Sequence, residues 1–290
     1  MPDDVEPVAP DGPVCVLGAG TMGHGIAQVA AMAGYDTRLH DVDGDALASG
    51  VQALRANLEK GVELGKVDPA TRDRALEALA PTADAADAAD GAGVVVEAVP
   101  EDLGLKRSVL SEASGRAADD ALLGTNTSSL SIAEIASGVG DAGRVVGVHF
   151  FNPVHLMELV EVVRGDATRD DVVARALGFA RRLGKTPVLV EDSPGFATSR
   201  LGVALGLEAT RMVEEGVATP EDIDRAMTLG YNHPMGPCRL GDLVGHDVRL
   251  EIARYLHREL GERFRPPELL ERMVEEGKLG KKSGEGFYEW

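Results

Sequence analysis

Cysteine is scarce. The 290 residues hold two, Cys15 and Cys238, far apart in the chain, and Cys15 lies in an apolar run where a reduced thiol packs as a small hydrophobe. A disulfide framework and a cysteine-based zinc site are both excluded. Long hydrophobic runs are missing too: Val94 to Val99 and Val145 to Phe151 are strand length, far short of the roughly 18 residues a membrane span needs. The opening residues MPDDVEPVAPDG lack a cationic start and an apolar stretch, so residues 1–12 read as a loose, flexible arm and not as a secretory signal. These absences make the reducing cytoplasm the expected compartment. Positive charge is in deficit, with 29 Lys and Arg against 48 Asp and Glu and a formal net charge of -19. Such a surface repels a phosphate backbone, which argues against a nucleic-acid partner. The plainest use of the acids is solubility on helix faces, and any anionic ligand must be held by local cations and backbone amides.

At 44% hydrophobic and 27% charged residues, the composition is that of a folded globular protein. At about 150 residues per domain, the length suggests two domains. Val14 to Leu17 is a strand-like run, followed by the glycine-rich GAGTMG and by helical periodicity from Ile26 to Ala33. Thr37 to Asp41 reads as the next strand, which completes a βαβ unit. A helical excursion with a turn at Asp68-Pro69 spans 46–80, and the Ala/Asp stretch from Thr82 to Gly91 reads as a solvated connection. Strand-like and helical segments then alternate: strands at Val94 to Val99, Ala121 to Thr125, Val145 to Phe150, Leu159 to Val163 and Pro187 to Val190, with helices at Leu103 to Ala117, Ser131 to Ala136 and Asp170 to Leu183. Alternation of this kind predicts an α/β fold with a doubly wound, mostly parallel Rossmann-type sheet over 13–191. From residue 192 to 290 only helical periodicity remains: Phe196 to Glu215, a capped start at Thr219-Pro220, then two more helices to Glu276. An all-α C-terminal domain is expected there, with Pro194-Gly195 as a hinge ahead of it.

The glycine block carries the first chemistry. Gly18 permits a tight turn, Gly20 lets backbone amides approach a pyrophosphate, and Gly23 lets the helix pack close to the strand. Thr21 and Met22 share this loop, and the helix N-terminus adds partial positive charge for the phosphates. Asp41, at the end of the second strand, is placed to accept from ribose hydroxyls and to repel a 2′-phosphate, which points to NAD over NADP. Further along, His149 ends an apolar strand, Asn152-Pro153 turns the chain, and Glu161 lies in the following strand. An imidazole with a neighbouring carboxylate is the arrangement a general base needs, because the carboxylate fixes the tautomer and stabilises the imidazolium. Ser128 follows a strand at the carboxyl edge, where ligands bind in doubly wound folds. Read without further context, Ser129 or Ser131 there could simply cap the helix from Ile132.

The blocks GAGTMGHGIAQ, VVVEAVPEDLGLK, TNTSSL, HFFNPVHLMELVEV, DSPGF and GKKSGEGFY resemble, in that order, the short-chain L-3-hydroxyacyl-CoA dehydrogenases, including bacterial 3-hydroxybutyryl-CoA dehydrogenase. The resemblance covers nearly the whole chain after residue 12. It implies hydride transfer between NAD and an acyl-CoA, with His149 as base, Glu161 as its orienter and Ser128 on the C3 oxygen of the substrate. It also implies cofactor contacts from Glu101, Lys106, Asn126 and Lys282, a substrate contact from Asn152, and a homodimer built on the helical domain. The helical excursion is the expected CoA docking surface, with Asn57, Lys60 and Lys66 as its candidates. One position departs from the family: the asparagine commonly found before arginine after DSPGF is here Ser199, whose hydroxyl has one donor and a shorter reach. The competing readings are the same chemistry on an acyl-carrier-protein-bound or free hydroxy acid, and a catalytically weak NAD-binding protein with a structural or sensory role. No metal is expected.

Overall fold

The computed structural model describes residue 10 and residues 12–290, so residues 1–9 and 11 of the expected arm lie outside the described residues. The chain divides into two compact units after Asp192. Among the described residues, no helix is long and apolar enough to cross a membrane.

Unit 1 is an α/β sheet of eight strands: β1 (Val14–Leu17), β2 (Thr37–His40), β3 (Leu79–Thr82), β4 (Val94–Glu97), β5 (Leu122–Thr125), β6 (Val145–Phe150), β7 (Leu159–Arg164) and β8 (Thr186–Glu191). Their order is β3-β2-β1-β4-β5-β6-β7-β8. The first six run parallel, β7 is antiparallel to β6, and β8 is parallel to β7. The runs VCVL and VVVE are buried along their whole length, as befits central strands covered on both faces. The helices of unit 1 are α1 (Gly23–Met32), α2 (Gly44–Glu63), α3 (Pro69–Glu77), α4 (Ala85–Ala89), α5 (Leu103–Ser114), α6 (Ile132–Ala136) and α7 (Asp170–Arg182). Aspartates start four of them. Asp43, Asp68, Asp84 and Asp102 each accept from a backbone N–H of the first turn, satisfying donors that a helix end leaves orphaned. Ile26, Ala27 and Val29 of α1 join Val14, Val16, Leu39, Leu54, Val96, Phe150 and Phe179 in one core.

The segment 79–91 departs from its expected form. Leu79–Thr82 is an edge strand that begins where the helical excursion was expected to end, and Ala85–Ala89 is a short helix where a solvated connection was expected. The strand has little apolar patterning, since the ladder to β2 is a backbone interaction. The helix buries Ala88 and Ala89, and Arg38 of β2 donates to the carbonyls of Asp87 and Ala88 beside it.

Unit 2 is helical up to Glu275, with α8 (Thr198–Glu214), α9 (Pro220–Tyr231), α10 (Pro237–Val244), α11 (His246–Leu260), a 3-10 turn (Glu262–Phe264) and α12 (Glu268–Glu275), and ends in a turn held by isolated bridges Gly280–Glu285 and Glu285–Glu289. Thr219 caps α9 by accepting from Asp222 N. Three α-helices follow α9 where two were expected, because Gly245, at φ 102, breaks the run between α10 and α11. Val203, Leu207, Leu250, Ala253, Leu256, Phe264 and Leu270 form its main core. The terminal residues fold back on α10. There the carboxylate of Asp242 accepts from Phe287 N, Tyr288 N and Trp290 Nε1, each at 2.9 Å, and pairs with His246 Nε2 at 2.7 Å.

Candidate active site

The glycine turn lies where β1 leaves the sheet, between β2 and β4, at the switch point of the strand order, where open α/β sheets bind ligands. Gly18 has φ 99, and a Cβ there would stand 2.7 Å from the carbonyl oxygen of Ala98. A Cβ on Gly23 would stand 1.7 Å from Gly18 O, whereas Gly20 faces open space. The first and third glycines are therefore demanded by packing, and the second leaves the approach to the backbone clear. The turn borders a cavity of about 650 Å³ lined by Gly18, Gly20, Thr21, Met22, Asp41 and Leu105, among others. Asp41 has a structural task as well: Oδ2 accepts from Ala19 N at 2.8 Å and Oδ1 from Asp43 N at 3.0 Å. This ties the turn to the end of β2, and each oxygen keeps a lone pair for a further donor. Glycine turn, helix N-terminus, acid and cavity together fit the adenosine diphosphate portion of a dinucleotide.

His149 and Glu161 face each other directly across the antiparallel β6–β7 ladder. Directly opposed residues of such a pair are close enough for their side chains to interact. His149 Nδ1 lies 2.7 Å from Glu161 Oε2, with Glu161 fully buried and His149 7% exposed. A proton on Nδ1, shared with the carboxylate, leaves Nε2 as the acceptor nitrogen of the neutral ring. Phe151 packs against the imidazole with ring centroids 4.5 Å apart.

Ser128 follows β5 at the same edge of the sheet, and its backbone N donates to Glu101 Oε1 at 3.0 Å. Of the two serines that could cap α6, Ser131 does so, accepting from Glu134 N at 3.3 Å. Burial pushes the Glu101 carboxyl up, but the nearby Lys106 charge and hydrogen bonds from Thr127 and Ser128 outweigh it and hold the group below its ordinary value. Asn126 Oδ1 accepts from Phe150 N at 2.8 Å, which locks the ends of β5 and β6 together. Lys106, expected at the cofactor, is instead 1% exposed. Its ammonium donates to Glu97 Oε1 and Val99 O and lies 3.2 Å from Glu101 Oε2, so all three of its N–H groups are engaged inside the fold.

Asn57, Lys60 and Lys66 come together on a second cavity of about 540 Å³ between α1, α2 and the loop after β6. The structure adds His155, Arg182 and Lys185 to its lining. Lys185 Nζ holds that loop by donating to Val154 O at 2.6 Å and Met157 O at 2.9 Å. Burial, then the charges of Lys185 and His24, push the His155 imidazole below its ordinary value. A concentration of basic groups stands out in a chain of net charge -19. Asn152 is exposed ahead of the cis-proline Pro153. In unit 2, Ser199 stands in the first turn of α8, and Lys282 Nζ pairs with Asp247 Oδ2 at 2.6 Å.

Residues 13–193 match the model of the 3-hydroxyacyl-CoA dehydrogenase NAD binding domain, and residues 195–290 match that of the 3-hydroxyacyl-CoA dehydrogenase C-terminal domain. The chain belongs to the 3-hydroxyacyl-CoA dehydrogenase family. Unit 1 is the family's NAD-binding domain and unit 2 its C-terminal domain. The 3-hydroxybutyryl-CoA dehydrogenase of Mycobacterium tuberculosis is 45% identical over 278 residues, 95% of this chain and 97% of that protein. That of Bradyrhizobium diazoefficiens is 40% identical, over 96% of this chain and 94% of the relative. Among solved structures, (S)-3-hydroxybutyryl-CoA dehydrogenase from Ralstonia eutropha superposes with TM-score 0.92 at 36% identity, covering 96% of this chain and 98% of that one.

Around the candidate site and the basic cavity the structure brings in five residues that the sequence reading did not single out: Glu97, Thr127, His155, Arg182 and Lys185. Glu97 had a visible signal, an acid at the end of an apolar run. Arg182 and Lys185 had none, since only the fold carries the end of α7 to the cavity beside α2.

Proposed function

We propose that this chain is an NAD-dependent oxidoreductase that interconverts a short-chain (S)-3-hydroxyacyl-CoA, such as 3-hydroxybutyryl-CoA, and the corresponding 3-oxoacyl-CoA. The observation that carries the reading is the His149–Glu161 pair, 2.7 Å apart, on the same sheet edge as a turn shaped for a dinucleotide. Backbone amides around Gly18, Gly20, Thr21, Met22 and Gly23 would hold the pyrophosphate, and Asp41 the ribose hydroxyls, with Glu101 and Asn126 nearer the nicotinamide end. When bound, NAD supplies the acceptor for the hydride from C3 of the alcohol. His149 Nε2 takes the hydroxyl proton as that bond breaks, and Glu161 stabilises the imidazolium that results. In the reverse direction, the imidazolium returns the proton to the carbonyl oxygen. Ser128 donates a hydrogen bond to the C3 oxygen and fixes its place. By their matched positions in the family, Asn152 and Ser199 are proposed substrate contacts and Lys282 a proposed nucleotide contact.

The basic cavity beside α2 suits the phosphates of CoA, with Lys60, Lys66, Arg182 and Lys185 supplying charge and Asn57 a carboxamide. NADH oxidation is to be followed with acetoacetyl-CoA, its pantetheine counterpart and free acetoacetate. The CoA thioester is expected to be the best substrate, and a preference for either other form would sink the assignment of CoA as carrier. An exposed charge pair is worth about 0.2–1 kcal/mol. Lys60→Ala or Lys66→Ala should therefore raise KM for acetoacetyl-CoA by up to about fivefold, with KM for the pantetheine form unchanged. Equal shifts for both forms would remove these lysines from the CoA site.

Unit 2 exposes Leu201, Leu229, Tyr231, Leu240, Leu243, Val244 and Val248. A second copy of this chain is the proposed cover. Sedimentation should return twice the chain mass, and a monomer mass across the micromolar range would contradict it.

A further inference from the structure

Glu97 is fully buried at the end of β4, between β1 and β5, and nothing in the proposed chemistry uses it. A carboxylate in such a place is costly unless every lone pair region is answered. Here Lys106 Nζ at 2.8 Å and Val99 N at 2.7 Å donate to Oε1, and Thr125 Oγ1 at 2.7 Å donates to Oε2. Replacing a buried ion pair by apolar residues of similar volume is often neutral or stabilising, so stability does not account for the pair. Its geometry does. Lys106 is held on one side by Glu97 and on the other lies 3.2 Å from Glu101 Oε2. The other oxygen of Glu101 accepts from Thr127 Oγ1, from Ser128 N at 3.0 Å and from Ser129 Oγ at 3.3 Å. Thr127 Oγ1 in turn accepts from Leu130 N at 2.9 Å. Glu101 has a side chain 38% exposed on the stretch after β4, and two buried groups set its rotamer: Lys106 on Oε2 and Thr127 on Oε1.

We infer that Glu97 is a positioning residue of the site: through Lys106 it fixes the Glu101 carboxylate, and Glu101 fixes the 127–130 turn that presents Ser128. The inference rests on the proposed role of Ser128 for its effect on turnover. Lys106 then acts on the reaction through Glu101, consistent with an ammonium whose three N–H groups are all engaged within the fold.

Two variants test it. Glu97→Gln keeps the shape and removes one of the two carboxylates that face Lys106. The double variant Glu97→Leu with Lys106→Met removes both charges and restores an apolar interior. For each, the melting temperature, kcat and KM with acetoacetyl-CoA, and amide hydrogen exchange over 126–131 are measured. Misplacing a reacting group by about 1 Å can cost up to about 100-fold in rate. Glu97→Gln is therefore expected to lower kcat about 10- to 100-fold with little change in KM, and to speed exchange over 126–131. The double variant should regain the wild-type melting temperature while kcat stays low and exchange stays fast. A double variant with wild-type kcat and wild-type exchange would overturn the inference, because the pair would then be structural only. If the wild-type protein fails to turn over acetoacetyl-CoA, the proposed function falls, whereas the exchange result still decides whether Glu97 holds the turn.

Discussion

His149→Gln lowers kcat by about 10²–10⁴-fold, the usual contribution of a positioned general base, and leaves NADH affinity within a factor of about two, since no group of the glycine turn is touched. The asymmetry follows from the sheet. The imidazole stands on β6 opposite Glu161 of β7, whereas the nucleotide cavity is lined by the β1 turn, the end of β2 and α5. Glutamine keeps a polar side chain of similar reach but cannot take a proton at neutral pH. Stopped-flow turnover with acetoacetyl-CoA, paired with a fluorescence titration of NADH, separates the two effects. Turnover at the wild-type rate would remove His149 from the reaction, and a parallel loss of NADH affinity would mean that the variant had disturbed the fold.

Asp242→Ala destabilises the protein by about 3–5 kcal/mol, since a buried donor left without its acceptor costs about 1–3 kcal/mol and several are orphaned together. Four donors would lose their acceptor at once: His246 Nε2, Trp290 Nε1 and the backbone N–H groups of Phe287 and Tyr288. The expected consequence is release of the terminal residues from α10, seen as a lower denaturation midpoint and faster cleavage by carboxypeptidase. Burial pushes the Asp242 carboxyl up, but hydrogen bonds from His246, Trp290, Phe287 and Tyr288 outweigh it and hold the group below its ordinary 3.8. A carboxylate with a depressed folded pKa adds stability that is present above its unfolded pKa and lost as pH falls through the folded value. The wild type should therefore lose this increment on acidification below 3.8, and Asp242→Ala should show a flatter stability profile there. Equal acid sensitivity in both proteins would mean that the clamp carries no net stability.

Much of the geometry of the proposed site is written in local sequence. GAGTMG lies between a strand and a helix, and its glycines fall where the turn needs a positive φ at Gly18 and close packing at Gly23. His149 and Glu161 flank a turn, and the antiparallel register sets them opposite each other. What could not be read depends on partners distant in the chain. β3 contains Pro81 and is half exposed, so only its ladder to β2 makes it a strand. The Ala/Asp stretch has a solvated composition, yet Ala88 and Ala89 are buried. Lys106, implied by the resemblance as a cofactor contact, is buried against Glu97 of β4, a pairing that its place on α5 does not reveal, and the basic cavity requires α7 and the loop after β6 to meet α2. Nothing in the local sequence marks Asp224 and Asp242 of unit 2, each of which accepts backbone N–H groups inside the fold.

The most direct measurement is NADH formation from (S)-3-hydroxybutyryl-CoA and NAD, run beside the (R) enantiomer and beside NADP. A single base at one sheet edge and an acid at Asp41 predict rapid NADH formation with the (S) thioester, little with the (R), and little with NADP. No NADH from (S)-3-hydroxybutyryl-CoA by the folded protein at saturating NAD would contradict the account at its centre.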